Sequence, residues 1–346
     1  MKPPKRSRLK SHLAEQLAWL LDLSLEEVKV EKLDGSVLFV KAGKWNFVVD
    51  FSAKGDTAAV SRSLERLREC KTRSKGNLLT VAPYMGDVGR KLCEDTNVSW
   101  MDLSGNAHIV GKNLRIRIEG QENKFRRLGR HSNLFAAKSA RVTRCMLIEP
   151  QRLFLQKELV ELTGLSQSLT SKTLNGLHNE GLLERDEHKR YKVRDPFLLL
   201  EAWSERYDFF KHSILRGHIA ARSGLELFNT IAASFENSNV GYAATALGAA
   251  WLMTNYANFR LVTFYLKEYP TQELLSSIGF QEGPRGANTW LVVPDDEGVF
   301  CGSVATQGVK CVHPVQTYLD LLAHPERAKD AADQLRHLEL NWRVNG

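Results

Sequence analysis

LTGLSQSLTSKTLNGL, residues 162–177, predicts the end of one helix, a turn and a second helix. Gly164 is typical of the position just after a helix C-terminus. Thr170, Leu174 and Leu177 fall at i, i+4 and i+7, so they share one face of the second helix. The stretch therefore predicts a helix pair whose second member hides this face against its neighbours.

The opposite face of the second helix carries hydrogen-bonding side chains and no carboxylate before Glu180. Its members are Gln167, Ser168, Ser171, Lys172 and Asn175. Gln and Asn can bond adenine bidentately, Ser reaches bases or phosphates, and Lys meets guanine or phosphate. Ser166 is placed as an N-cap, which turns backbone N–H groups toward a phosphate. This face favours the major groove of duplex DNA, and a helical hairpin with a merely solvated polar face is the alternative.

The charge distribution favours a polyanionic partner. The net charge is +8 and the isoelectric point is near 9.2. Two stretches hold cations and no carboxylate, and the second of them leads directly into the helix pair. Their cations are Lys2, Lys5, Arg6, Arg8 and Lys10 in the first stretch, and Lys124, Arg126, Arg127, Arg130, Lys138, Arg141 and Arg144 in the second.

LLERDEHKRYKVRD, residues 182–195, predicts two short strands around a charged tip. NLFAAKSARVTRCMLIEP, residues 133–150, predicts a first helix before the pair, ended by Pro150. Three helices followed by a basic two-stranded wing resemble the winged helix-turn-helix family, in which the wing contacts phosphates. The candidate phosphate contacts are Arg185, Lys189, Arg190 and Lys192 on the strands, with Arg141 and Arg144 assisting from the first helix.

Strand and helix patterns predict three domains, of the α/β and α+β multidomain class. Residues 1–123 predict an α/β domain, residues 132–195 the winged helix-turn-helix, and residues 196–346 a C-terminal α/β domain. In the third domain, Gln316 and Asp320 are polar residues within an otherwise apolar stripe. A solvated or capping role is favoured for them, and a functional site is the alternative.

FVVDFSAKGDTAAVSRSLERL, residues 47–67, and the strand after it resemble the PD-(D/E)XK restriction-endonuclease-like fold. In active members, carboxylates bind a divalent cation and a lysine orients the attacking water. Here Asp50 stands on the strand, Ser52 occupies the expected lysine position, and Lys54 and Asp34 are the nearest substitutes. The departure predicts an inactive relative of this fold, and a metal-dependent nuclease that uses Asp50 is the alternative. DLSGN, residues 102–106, favours a tight turn.

Three C-terminal stretches carry a more particular resemblance: YAATALGAAWLM, FRLVTFYL and HPVQTYLDLLAHPERAKDAADQLR. Together with the winged helix, and with SWMDLSGNAHI in the front domain, they are similar to the AbiEi-type antitoxins and transcriptional regulators of type IV toxin–antitoxin systems. The resemblance implies a repressor that binds repeats at its own promoter and counters a nucleotidyltransferase-like toxin without necessarily touching it. Better-known members begin with the winged helix, whereas an α/β domain precedes it here, and Ala246 stands where a glycine is expected.

The motif content favours a regulator over an enzyme. The sequence has no phosphate-binding loop, no nucleophile–base pair and no C-x-x-C among its five cysteines. No run of about eighteen apolar residues predicts a membrane span, and no secretion signal is expected. We therefore expect a cytoplasmic, non-enzymatic regulator that binds double-stranded DNA without a cofactor or metal. A homodimer is compatible with this function, and an adaptor that binds a protein through its winged helix is a further alternative.

Overall fold

The chain divides into two compact units, Met1–Ser132 and Asn133–Gly346. The structure is a computed structural model, and the residues it describes are 6–34, 36–52, 55–71, 75–125, 134–256, 258–283, 285–325 and 328–342. Within these residues, each helix is too short or too polar to cross a lipid bilayer. The predicted division of the second unit at residues 195 and 196 stays a prediction.

Within its described residues, the first unit combines one sheet with three α-helices. Its helices are α1 (Arg6–Leu21), α2 (Thr57–Lys71) and α3 (Asp87–Asp95). Its strands are β1 (Val28–Asp34), β2 (Val37–Ala42), β3 (Trp45–Phe51), β4 (Asn77–Ala82), β5 (Ser99–Asp102), β6 (Ala107–Gly111) and β7 (Leu114–Ile118).

The seven strands of the first unit form one sheet in chain order, β1 to β7. β3, β4 and β5 are parallel, and the flanking pairs are antiparallel. Parallel neighbours need a crossover connection, and α2 and α3 supply the two crossovers. This mixture confirms the predicted fold class. The likeness of the unit to restriction endonucleases stays a prediction.

Helices cover both faces of this sheet. Phe47 and Val49 on β3 belong to an apolar cluster with Leu17 of α1. Val48, between them, belongs to a second cluster with Leu64 of α2. Successive strand residues point to opposite faces, so the alternation along β3 builds two separate cores.

The DLSGN stretch is a turn, as its composition predicts, and Asp102 organises it. The Asp102 carboxylate is buried. Its Oδ1 accepts the backbone N–H groups of Ser104, Gly105 and Asn106 at 2.9–3.0 Å. Its Oδ2 accepts the Met85 N–H at 3.1 Å and the Asn106 amide at 2.9 Å. The carboxylate therefore holds the β5–β6 connection against the segment after β4.

The second unit is larger. Its helices are α4 (Ala140–Ile148), α5 (Gln156–Thr163), α6 (Gln167–Asn179), α7 (Pro196–Ser204), α8 (Gly224–Asn237), α9 (Ala246–Thr254), α10 (Gln272–Ser277), α11 (Pro314–Ala323) and α12 (Ala328–Glu339). Its strands are β8 (Leu183–Arg185), β9 (Tyr191–Val193), β10 (Ser213–His218), β11 (Tyr242–Thr245), β12 (Val262–Leu266), β13 (Gln281–Glu282), β14 (Thr289–Val293), β15 (Val304–Thr306) and β16 (Val309–Cys311).

The described residues of this unit form two sheets. β8 and β9 form a small antiparallel pair directly after α6. The remaining strands of this unit form a mixed sheet of order β13-β10-β14-β12-β11-β16-β15. Aromatic residues pack against one another in the core of the large sheet, where Phe209 stacks on Trp290 with ring centroids 6.1 Å apart. Phe228 stacks on Phe264 at 5.0 Å.

The small-residue stretch GYAATALGAAWLM, residues 241–253, predicts a helix from its sequence, but the structure does not form a single helix there. Its first part is strand β11, which pairs with β12 and β16, and helix α9 begins only at Ala246. Ala246 has a φ of 51°, in the left-handed region that disfavours a side chain. The position is the one where the family resemblance led us to expect glycine. The strand-to-helix turn therefore carries backbone strain.

We predict that Ala246→Gly costs no stability, although it removes a buried methyl group. Relief of the left-handed strain is worth about 1–2 kcal/mol, and the lost methyl burial costs about 1 kcal/mol. The matched control is Ala249→Gly, inside α9 and equally buried. There we expect a loss of about 2 kcal/mol, because helix propensity and burial both suffer. Urea unfolding of both variants tests this, and equal losses at the two positions would contradict the strain at Ala246.

Candidate nucleic-acid interface

Helix α6 turns its polar face outward. Thr170, Leu174 and Leu177 are fully buried. The opposite face carries four exposed side chains, Gln167, Ser168, Lys172 and Asn175. Ser171 on the same face is half-buried. The helix contains no carboxylate along its length. It therefore presents donors, acceptors and one positive charge to its surroundings.

The turn before α6 fixes where the helix begins. Gly164 ends α5 with a φ of 66°, and a left-handed residue at this place is characteristic of helix C-termini. Leu165 is buried in the turn. The Ser166 hydroxyl then accepts the Leu169 N–H at 3.3 Å as the N-cap of α6. The local sequence thus fixes Ser166 as the N-cap and Gln167 as the first residue of α6.

Asn175 is held in place by two neighbours. Its amide oxygen accepts the Tyr191 hydroxyl at 3.2 Å, and its amide nitrogen donates to the Ser171 hydroxyl at 3.3 Å. Tyr191 lies on β9, so this contact joins α6 to the strand pair. An exposed amide fixed in this way keeps spare hydrogen-bonding capacity, because Asn has two donors and two acceptor lone pairs.

The β8–β9 pair carries the predicted charged tip. Arg190 donates its backbone N–H and its Nε to the Asp186 carboxylate, at 2.9 and 2.7 Å, which closes the turn. Lys189 is exposed at the turn, with a φ of 62°. Arg185 is exposed and lies over the Tyr191 ring, 5.2 Å from its centroid. Lys192 is half-buried and lies opposite Glu184.

A third backbone segment lies beside this pair. Phe154 and Tyr191 exchange both backbone hydrogen bonds, each at 2.8 Å. Phe154 is fully buried. The segment between α4 and α5 is thereby tied to the strands after α6, and the three helices and the strand pair form one packed group.

Arg141 does not belong to this exposed surface. Its guanidinium makes a bidentate ion pair with Asp296, with Nε–Oδ1 at 2.7 Å and Nη2–Oδ2 at 2.8 Å. Its Nη1 donates to the Thr163 carbonyl at 3.1 Å. The prediction that Arg141 assists at DNA is therefore wrong, because its donors are used inside the unit.

Arg144 is likewise corrected, because it is only 3% exposed. Its Nη2 donates to the Gln316 amide oxygen at 2.6 Å, and its guanidinium lies 5.0 Å from the Trp203 ring centroid. A guanidinium enclosed in this way cannot reach a phosphate outside the molecule. The cations Arg126, Arg127 and Arg130 lie outside the described residues.

The expectation of a solvated or capping role for Gln316 and Asp320 is also wrong, since both are fully buried. The Gln316 amide nitrogen donates to Asp320 Oδ1 at 2.8 Å. Tyr207 and Tyr265 donate to the same oxygen at 2.5 and 3.1 Å, and Thr245 donates to Oδ2 at 2.5 Å. Burial nevertheless raises the pKa of Asp320 to about 6. A polar chain from Arg144 through Gln316 to Asp320 thus crosses the core.

In the first unit, Asp50 is fully buried and paired with neighbouring side chains. Its Oδ2 forms an ion pair with Arg66 at 2.6 Å, and its Oδ1 accepts the Ser36 hydroxyl at 2.8 Å. Ser52 is buried, whereas Lys54 and the side chain of Asp34 lie outside the described residues. Groups of three or more metal-ligating side chains are absent from the described part of the chain. This arrangement uses Asp50 for internal pairing and gives the nuclease alternative no supporting contact.

One comparison with known proteins matches the chain. The family is one of transcriptional regulators. The family is described as the transcriptional regulator and AbiEi antitoxin of type IV toxin–antitoxin systems. The family model matches residues 192–340 of the chain. This confirms the resemblance carried by the C-terminal stretches, over less than half of the chain. No curated protein and no solved structure matches. The matched family is one of regulators rather than of enzymes.

The buried titratable groups predict how stability depends on pH. Burial lowers the pKa of His212, His313 and His324 from 6.5 to about 4 each. Between these values the unfolded chain binds more protons than the folded one, so stability falls as the pH drops from 6.5 to 4. Asp320 acts in the opposite direction, because its raised pKa lets the folded state bind its proton more tightly below pH 6.

We predict that Asp320→Asn steepens the loss of stability between pH 6 and 4, by up to about 1.4 kcal/mol per pH unit. Asn retains an acceptor for the two tyrosines and removes the titration. Urea unfolding at pH 7, 6, 5 and 4 measures the slope in both proteins. The comparison variant His324→Gln should instead flatten it. Parallel pH profiles for the parent chain and Asp320→Asn would contradict this assignment.

Proposed function

We propose that this protein is a DNA-binding transcriptional regulator whose residues 132–195 act as a winged helix-turn-helix. The observation that carries the proposal is the exposed, carboxylate-free face of α6 next to the cations of β8 and β9. The match of residues 192–340 to a family of transcriptional regulators supports the same class of function.

In this proposal α6 lies in the major groove of the duplex. Gln167 and Asn175 read base edges, Lys172 meets guanine or phosphate, and the two serines, Ser168 and Ser171, reach bases or the backbone. Tyr191 holds the Asn175 amide, so less conformational entropy is lost when it binds a base. The N-cap at Ser166 directs the first backbone N–H groups of α6 toward a phosphate.

The strand pair holds the backbone beside the groove. Lys189 at the exposed tip and Arg185 on the Tyr191 ring are placed to meet phosphates. Arg190 and Lys192 contribute charge from half-buried positions, each facing a carboxylate. Contacts of this kind position a protein on DNA, whereas α6 supplies sequence information.

The particular role we propose is that of an AbiEi-like antitoxin that represses its own promoter. Its counterpart would be a nucleotidyltransferase-like toxin, which it opposes without necessarily binding it. A reading frame for such an enzyme beside this one would support the antitoxin role. A regulator that stands alone would lack that neighbour and still bind DNA.

Replacing Lys172 by Ala tests the recognition surface. We expect about tenfold weaker binding to a duplex from upstream of the reading frame, since one charged contact is lost. If Lys172 meets a phosphate, the slope of log affinity against log salt also falls by about 0.9. Fluorescence anisotropy at several salt concentrations measures both quantities. The control is Lys267→Ala, an exposed lysine at the end of β12, which should bind like the parent chain.

Charge reversal at the tip separates DNA binding from the adaptor alternative. Lys189→Glu combined with Arg190→Glu should abolish retention on the same duplex, because two repulsive charges would face the backbone. An adaptor that binds a protein through this surface predicts unchanged retention. Unchanged binding by both this variant and Lys172→Ala would overturn the proposed interface.

A further inference from the structure

A small cavity lies between the start of α4 and the segment that follows α7. Its buried walls include Ala140 and Val299, with the Trp203 indole and the Arg144 guanidinium. Residues that are exposed to solvent, Ala136, Asp208 and Lys211, also line it, so the cavity opens to the surface. It is separate from the exposed face of α6.

Two of the buried side chains that line this cavity carry donor nitrogens without a hydrogen-bond partner among the described residues. Arg144 is 3% exposed and Trp203 1% exposed. Within the described part of the chain, Arg144 Nε and Nη1 and the Trp203 indole nitrogen are buried without an acceptor. A buried donor without a partner is unfavourable, and more so when it is charged. Both groups can only donate, so what they require is an acceptor.

The charges of the lining restrict which acceptor fits. Arg144, Arg206 and Lys211 are positive, while Asp208, Asp295 and Asp296 are negative. Arg206 is paired with Glu180. Asp296 is already paired with Arg141. Nearby carboxylates disfavour a dianion such as phosphate, and the buried guanidinium favours a single negative charge. The apolar walls suit a short hydrocarbon portion.

We propose that this cavity is a binding site for a small monocarboxylate. The carboxylate accepts hydrogen bonds from the Arg144 guanidinium and the Trp203 indole, and its short carbon chain packs on Ala140 and Val299. Lys211 stands at the entrance and attracts the anion. The site shares no residue with the proposed DNA-binding surface, so either proposal can be disproved without the other.

The experiment titrates the full chain with acetate, propionate, butyrate and benzoate. Propionamide, which is neutral and similar in shape to propionate, is the matched control, and phosphate tests the preference for one charge. We expect at least one carboxylate to raise Tm by about 2–4 °C at saturation, as binding to the folded state requires. Propionamide and phosphate should leave Tm unchanged at the same ionic strength.

Two variants locate the binding by calorimetry. Trp203→Phe keeps the ring and removes the donor, so the carboxylate should bind about fivefold more weakly. Trp251→Phe, on α9, is its matched control and should bind like the parent chain. Lys211→Gln, an exposed change that leaves the core intact, should weaken binding about threefold even if Trp203→Phe does not fold.

A spectroscopic measurement identifies the contact directly. In a chain labelled with ¹⁵N-tryptophan, the indole resonance that Trp203→Phe removes should shift on addition of the carboxylate. The proposal is overturned if no carboxylate binds better than propionamide. It is also overturned if binding is unchanged in both Trp203→Phe and Lys211→Gln.

Discussion

The buried guanidinium of Arg144 is the constraint on which the second unit depends. A charge removed from water costs several kcal/mol unless its surroundings compensate for it. Here the compensation comes from Gln316 on α11 and from the Trp203 ring on α7. Because the partners lie on different helices, α4 can occupy only a position that satisfies both. Gly298 belongs to this arrangement, since a Cβ there would lie 3.0 Å from Arg144 Nη1.

The position of α4 in turn fixes the helices that carry the candidate interface. α4 packs against α5 and α6, and Arg141 connects it to the end of α5 through the Thr163 carbonyl. On its other side, the Arg141–Asp296 ion pair and the Arg144–Gln316 bond hold it to the large-sheet region. The orientation of α6 thus depends on contacts of α4 with residues more than a hundred positions away in the sequence.

Local patterns predicted much of this fold. The face of α6, its N-cap and the β8–β9 tip follow from spacing and side-chain chemistry within some thirty residues. In the first unit, the turn at Asp102 follows in the same way. The predictions that were wrong, for Arg141, Arg144, Gln316 and Asp320, concern residues whose partners are distant in the sequence. Arg144 lies at i+3 from Arg141 among apolar residues of α4, a pattern shared by exposed and buried cations.

Whether such a cation can contact DNA depends on the residues it packs and bonds with in the fold. The hydrogen-bond partner of Arg144, Gln316, is 172 positions away in the sequence. The same holds for Asp320, whose polar position within an apolar stripe was the one local signal of burial. The structure of β11 is likewise decided by distant residues. Its alanines favour a helix, but the segment forms a strand because it pairs with β12 and β16. Long-range pairing overrides local propensity at each of these places.

The charges around α6 show why its rigid placement matters for the proposed function. From Leu183 to Arg194 the chain carries five cations and three carboxylates. Asp186 pairs with Arg190, and Glu184 lies opposite Lys192, so the tip offers a modest excess of positive charge. Attraction to phosphate alone would then select poorly among duplexes. Discrimination has to come from hydrogen bonds of α6 to base edges, which are sensitive to small displacements of the helix. A core that holds α6 through a buried cation on α4 meets that geometric requirement.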